Sequence, residues 1–361
     1  MTSVNDRVNQ LVRAEIRTLG AYHVPPAGKL IKLDAMENPW PWPDTLREEW
    51  LVALGAVELN RYPDPAASSL QAVMRTAMSV PDSAAVILGN GSDELIQMIV
   101  QTVAAPGRKV LAPGPTFVMY GQIAAVAGLE FVSVPLQHDF SLNADAMLAA
   151  IRQQQPAVTF LAYPNNPTGN LFDAAVITEM LAAAEGLVVV DEAYAPFTDA
   201  SFMQELPNHD NLLVLRTVSK MGLAGLRLGL LAGAREWLEQ IDKTRLPYNL
   251  GSLNQLTGRF AMQHKPVFDE QAQKIREART ELFAGLHAMP SLTVFPSEAN
   301  FILFRVPPAR ADAIYHGLQQ AGILIKNLNG SAEALRDCLR VTVGLPEENR
   351  AFLAALKELL P

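Results

Sequence analysis

A lysine follows a serine at the head of a glycine-rich stretch, Ser219-Lys220-Met221-Gly222-Leu223-Ala224-Gly225-Leu226-Arg227. Upstream lie Asp191-Glu192-Ala193-Tyr194 and Asn165-Asn166-Pro167-Thr168-Gly169. Together they offer an amine able to form an imine, a carboxylate, an amide, a phenol and a guanidinium. Each alone has a plain structural explanation. A lysine is ordinarily a solvated surface residue. An aspartate at the end of an apolar run ends a strand and starts a turn, and Asn-Pro-Thr-Gly is common turn chemistry.

Placement separates the two explanations. Runs 157–163, 187–190 and 212–217 are short, apolar and rich in β-branched or aromatic residues, the composition of strands. Helical patterns separate the first two, and turn-rich sequence precedes the third. All three polar clusters therefore fall just beyond the carboxyl ends of strands, where open α/β sheets bind ligands. Pyridoxal phosphate needs that inventory: a lysine for the imine, a carboxylate for the pyridine nitrogen, donors for the ring oxygen and a phosphate clamp.

A phosphate cradle is present in Gly89-Asn90-Gly91-Ser92-Asp93-Glu94, which opens a helix directly after a strand at 86–88. Backbone amides at a helix start, made accessible by glycine, bind anions. Helix capping by Asn90, Ser92 or Asp93 is the alternative, and the two uses often coincide. Glutamate stands where a dinucleotide fingerprint has its third glycine, and Ala112-Pro113 stands where the next strand would end in an acid. That pattern disfavours a nicotinamide site.

The surrounding elements must hold these clusters in place. Strands at 109–112 and 130–134 bracket a helix at 116–127, and the helix after Gly91 buries Leu95, Ile96, Ile99, Val100 and Val103. Alternation runs to about Gly233 and predicts an α/β fold, a mostly parallel sheet covered by helices. Beyond it, a long helix at 271–287, strands at 293–295, 300–306, 323–326 and 339–343, and a terminal helix at 347–360 predict a smaller α+β domain. Residues 22–43 are proline-studded, and Pro39, Pro41 and Pro43 exclude a helix or central strand, leaving an extended arm. Val8, Leu11, Val12, Ile16 and Leu19 mark one face of an N-terminal helix packing on the body. The expected organisation is an N-terminal helix and arm over 1–45, a large cofactor-binding domain over 46–250 and a small domain over 251–361, packing with part of the arm.

Composition narrows the partners. Against 29 basic residues stand 37 acidic ones, a net charge of −8, which argues against nucleic acid or an anionic membrane. Cys338 is the single cysteine, so no internal disulfide forms and a reducing compartment is expected. The six histidines show no metal-ligand spacing, so no metal site is expected. Asp6 and Glu15 count against an import sequence, and no apolar run approaches the ~20 residues that span a bilayer. The expectation is a soluble, cytoplasmic protein.

Taken in order, these segments resemble the fold-type I pyridoxal-phosphate aminotransferases, and among them the histidinol-phosphate aminotransferases. The resemblance rests on Leu33-Asp34-Ala35-Met36-Glu37-Asn38-Pro39, Arg61-Tyr62-Pro63-Asp64-Pro65, Gly91–Glu94, Pro115-Thr116-Phe117, Asn165–Gly169, Asp191–Tyr194 and Ser219–Arg227. It continues through Ser297-Glu298-Ala299-Asn300 and Leu339-Arg340-Val341-Thr342-Val343-Gly344, covering nearly the whole chain.

The resemblance implies roles. Lys220 would bond the cofactor and shuttle a proton, and Asp191 would hold the pyridinium proton. Asn166 and Tyr194 would bond the ring hydroxyl. Phe117 would stack on the ring, although it reads equally as a core aromatic. Ser92, Asp93, Ser219, Arg227 and the partner subunit's Tyr62 would meet the phosphate in a homodimer with shared sites. Tyr22, Asn38, Asn166, Lys326 and Arg340 would bind substrate. The implied reaction moves an amino group between histidinol phosphate and 2-oxoglutarate in histidine biosynthesis. Aromatic-amino-acid aminotransferases and threonine-phosphate decarboxylases share the scaffold and remain alternatives. A cofactor-sensing domain of a transcription regulator would bring a basic DNA-binding module, which this acidic chain lacks. Two departures stand out: Lys220 and Arg227 are one residue closer than in some members, and Lys326 replaces an arginine, losing bidentate geometry.

Overall fold

The structure, a computed structural model, describes residues 3–21 and 28–360. Two sheets organise them. In chain order the strands are β1 (Ile31–Leu33), β2 (Ala85–Gly89), β3 (Lys109–Gly114), β4 (Glu130–Pro135), β5 (Val158–Ala162) and β6 (Leu187–Asp191). They continue with β7 (Leu212–Thr217), β8 (Gly229–Gly233), β9 (Thr293–Val294), β10 (Phe301–Arg305), β11 (Ile323–Asn327) and β12 (Cys338–Thr342).

The seven-stranded sheet has the order β2-β8-β7-β6-β5-β3-β4. It is parallel except at β8, which runs antiparallel to both β7 and β2. Strands β5 to β8 are buried on both faces, which explains their near-continuous apolar sequences. Alternate residues feed opposite cores: Val188, Val190 and Val214 one, Leu187, Val189 and Leu213 the other. Register aligns Ala162 with Asp191 and Asp191 with Leu215, so β5 and β6 end together and β7 runs on only to Thr217. Because β8 is reversed, it starts at that same edge and brings the preceding Arg227 there.

The five-stranded sheet has the order β1-β11-β12-β10-β9. Part of the arm joins it, since β1 pairs in parallel with Ile323–Ile325 of β11. Leu33, Ile325, Leu339 and Val341 point into the small core. Arg340 lies between the last two and therefore points to the opposite face. Lys326 is its cross-strand partner and shares that face.

Other elements differ from expectation at their edges. The N-terminal apolar face does not form one helix but two, Val4–Leu11 and Ala14–Thr18, and neither buries a residue. Extended backbone at Val12 and Arg13 breaks the helical register, and Arg13 instead caps the carbonyl of Val126. The long helix spans Lys265–His287, starting before the expected 271, because Pro266 is tolerated in a first turn that has no amide partners. Phe268 packs in the core of the large sheet, whereas Ala272 and Ile275 pack in the small core, so this helix joins the two. Among the described residues no helix is long and apolar enough to cross a membrane.

Candidate active site

The carboxyl edge of the large sheet collects the expected groups. Lys220 sits in a 3-10 turn, Ser219–Met221, directly after β7, with Nζ 5.8 Å from the centre of the Tyr194 ring. Burial, reinforced by the Arg340 charge, lowers its amine to about 8. Asp191 closes β6 and is buried. Its Oδ2 accepts from the Tyr120 hydroxyl at 2.7 Å and its Oδ1 from the Ala193 amide at 3.1 Å. Burial still raises its carboxyl to about 6, because no ion pair compensates it among the described residues. Tyr194 is buried edge-on against Phe301, and burial pushes its phenol up.

One cleft is lined by Ser92, Phe117, Asn166, Asp191, Ala193 and Tyr194. Above it the small sheet contributes Arg340, whose Nη1 donates to Asn166 Oδ1 at 2.5 Å and whose Nη2 donates to the Asp34 carbonyl at 3.2 Å. The guanidinium also lies over the Phe301 ring at 5.0 Å. These contacts bring arm, large sheet and small sheet together at one point.

Beside the cleft, the helix Ser92–Val103 begins at Gly91 with no side-chain cap, which leaves its first amides open to an anion. Arg227 faces them: it donates to Asp93 Oδ2 at 3.1 Å and to Ser219 Oγ at 3.4 Å. A Cβ at Gly91, where φ is +89°, would lie 2.8 Å from Arg227 Nη2. Arg227 itself takes φ +47°, a left-handed conformation costing about 1 kcal/mol without glycine. The strain aims a guanidinium at uncapped amides, which is an arrangement for binding a phosphate or carboxylate.

The model of the class I and II aminotransferases matches residues 29–356. The chain belongs to that family. Similar proteins include histidinol-phosphate aminotransferase 2 of Nitrosococcus oceani, 54% identical over 352 residues and covering 98% of each chain. Histidinol-phosphate aminotransferase 2 of Cupriavidus pinatubonensis is 52% identical, covering 96% of each. In three dimensions the chain is similar to histidinol-phosphate aminotransferase from Sinorhizobium meliloti in complex with pyridoxal-5'-phosphate, with a TM-score of 0.86 at 23% identity over 97% of each chain.

Within this aminotransferase, Ser92, Asp93, Phe117, Asn166, Asp191, Tyr194, Ser219, Lys220, Arg227 and Arg340 all come together at the sheet edge. Lys326 is exposed on the Arg340 face. Tyr62 stands apart, 80% exposed, its ring stacked on Tyr248 at 4.4 Å. Tyr22 lies outside the described residues. Asn38, expected to contact substrate, lies against the lysine turn. Its Nδ2 donates to the Met221 carbonyl and to Gln271 Oε1, so both amide hydrogens are used within the protein. Among the described residues no cluster of histidine, cysteine, aspartate and glutamate could hold a metal.

Tyr120 belongs to the site although it follows no strand end. It is fully buried, stacked on Phe160 at 4.7 Å and edge-on to Phe117 at 5.5 Å, with its hydroxyl on Asp191. One signal pointed to it: a tyrosine on the same helix face as Ile123 and Ala124 must find a buried partner for its hydroxyl.

Proposed function

We propose that this aminotransferase binds pyridoxal phosphate and moves an amino group from histidinol phosphate to 2-oxoglutarate, a step of histidine biosynthesis. The observation that carries the reading is Arg340, held by Asn166 over the same cleft that Asp191 and Tyr194 line. The chemistry of the site fits the cofactor. Asp191 is a buried carboxylate without a cation, suited to a protonated ring nitrogen. The uncapped helix start with Arg227 and Ser219 suits a phosphate. When bound, the cofactor supplies an electron sink that acidifies the carbon bearing the substrate amine.

The chain's own groups do the rest. Lys220, lowered to about 8, supplies a neutral amine near physiological pH; it can take a proton from the substrate carbon that bears the amine and would deliver it to the cofactor's carbonyl-derived carbon, across the shared nitrogen. Asp191 would hold the ring nitrogen protonated, and the Tyr120 hydroxyl fixes the orientation of that carboxylate. Asn166 and Tyr194 would hold the ring through its hydroxyl, and Phe117 would pack against it. Arg340 and Lys326 face the substrate's anionic end. They serve a phosphate in one half-reaction and a carboxylate in the other, so a guanidinium fork beside a mobile ammonium suits both.

Truncation separates these two cations. Arg340→Ala is expected to lower kcat/KM for histidinol phosphate roughly ten- to a hundredfold, the worth of a charge-assisted contact. Lys326→Ala is expected to weaken use of histidinol phosphate more than use of unphosphorylated histidinol. Steady-state kinetics with both amines checks this. If both variants treat the two amines alike, the anion assignment is wrong.

The proposed enzyme is a two-fold homodimer. Tyr62, Leu59 and Leu246 expose large apolar side chains, and Arg245 ties their two segments together by donating to the Pro65 carbonyl at 2.9 Å. The partner subunit's Tyr62 then completes the phosphate site. Mixing inactive Tyr62→Ala and Lys220→Ala proteins is expected to restore activity through heterodimers with one intact site. No recovery after demonstrated subunit exchange would rule out sharing.

A further inference from the structure

The arm runs along the long helix where that helix passes from one core to the other. Trp42 packs on Phe268 with ring centres 5.6 Å apart, on the side of the large core. Trp40 packs on the small core, with Lys274 Nζ 5.2 Å from its ring centre. Between these two anchors the helix presents Gln271, which is 6% exposed. A buried amide between two apolar cores is unfavourable unless its donors and acceptor are paired. Gln271 has a partner at each polar atom: Nε2 donates to the Pro41 carbonyl at 3.0 Å, and Oε1 accepts from Asn38 Nδ2 at 2.9 Å.

Asn38 then reaches the lysine turn. The same Nδ2 donates to the carbonyl of Met221 at 3.0 Å, one residue beyond Lys220. Its Oδ1 accepts from the Trp40 amide at 2.9 Å, which fixes which way the side chain faces. Gly222 follows with φ +110°, where a Cβ would lie 2.9 Å from Asn38 Nδ2. A side chain there would prevent the approach, so glycine is needed.

We propose that Gln271 and Asn38 form an amide clasp that positions Lys220, with Gln271 acting through Asn38 on the peptide next to the lysine. The clasp ties the root of a long side chain to the helix that joins the two cores. The position of Nζ is therefore set jointly by the arm and by both domains. Misplacing a reacting group by about 1 Å can cost as much as 10²-fold in rate, so such support has kinetic consequences. The inference rests on Lys220 being the residue that bonds the cofactor.

The test follows cofactor capture by the full-length protein freed of cofactor. Pyridoxal phosphate is added to wild type, Gln271→Met, Asn38→Ala and the double variant, and the rise of the lysine-bound absorbance is timed. Each single variant is expected to capture about five- to tenfold more slowly, with the melting temperature lowered by only a few degrees. The double variant is expected to match the slower single within about twofold, because both substitutions break one chain of contacts. Capture by Gln271→Met at the wild-type rate overturns the clasp, and so does a double variant whose slowing is the product of the two singles. Should the buried variant fail to fold, Asn38→Ala, at a half-buried position, decides alone: a wild-type rate overturns the clasp. Wild type that bonds the cofactor elsewhere than Lys220 refutes the cofactor assignment itself, a separate outcome.

Discussion

Lys220→Ala is expected to abolish turnover, by roughly 10⁴-fold or more, while leaving the melting temperature close to that of wild type. The loss is large because one amine serves twice: it bonds the cofactor and it carries the proton, and positioned proton transfer alone contributes about 10²–10⁴-fold. The fold tolerates the change because burial already disfavours the lysine's charged form. The same burial gives a pH signature. Only the neutral amine attacks the cofactor, and the amine titrates near 8. Capture by cofactor-free wild type should therefore quicken about tenfold per pH unit below that value and level off above it. A surface lysine at its ordinary value would still be accelerating at pH 9. Borohydride reduction and peptide mapping locate the attachment, and label on any other lysine contradicts the assignment.

Asp191→Asn is expected to lower kcat by about 10²–10³-fold at saturating cofactor, the usual effect of removing a preorganised charge partner. Asparagine's one oxygen can accept from the Ala193 amide while its NH2 donates to the Tyr120 hydroxyl, which then accepts, so the fold and the ring stack around Phe160 should survive; near-ultraviolet circular dichroism checks that. Asp191→Ala leaves that hydroxyl without its partner and should lose some stability as well, about 1–3 kcal/mol. Turnover near the wild-type rate in the asparagine variant would reduce Asp191 to a residue that ends a strand.

Much of this site was legible because polar residues interrupt apolar runs. Asn166 follows the run that becomes β5, Asp191 ends β6, and Lys220 follows β7; a parallel sheet brings such points to one edge whatever the helices between them do. The Arg340 placement was legible for a similar reason, since Leu339 and Val341 alternate with it. What the sequence did not reveal depends on three-dimensional neighbours. The reversal of β8 leaves no mark in Gly229–Gly233, an apolar run that reads the same in either direction. Tyr120 looks like one more core aromatic until its hydroxyl is seen on Asp191. Gln271 looks like a solvent-facing helix residue, yet the arm covers it. Asn38 belongs to a segment of the right family pattern, but its partners are Met221 and Gln271, and no local rule names them. The break between the two N-terminal helices was hidden because the apolar spacing continues across it.

A single half-reaction decides whether this aminotransferase acts on histidinol phosphate. Cofactor-loaded protein is mixed with histidinol phosphate in the absence of any acceptor, and the lysine-bound absorbance is followed; phenylalanine and glutamate are run in parallel. Histidinol phosphate is expected to discharge that absorbance at a saturable rate, 2-oxoglutarate to restore it, and phenylalanine to act far more slowly. An unchanged spectrum with histidinol phosphate, or faster discharge by phenylalanine, would contradict the histidinol-phosphate assignment.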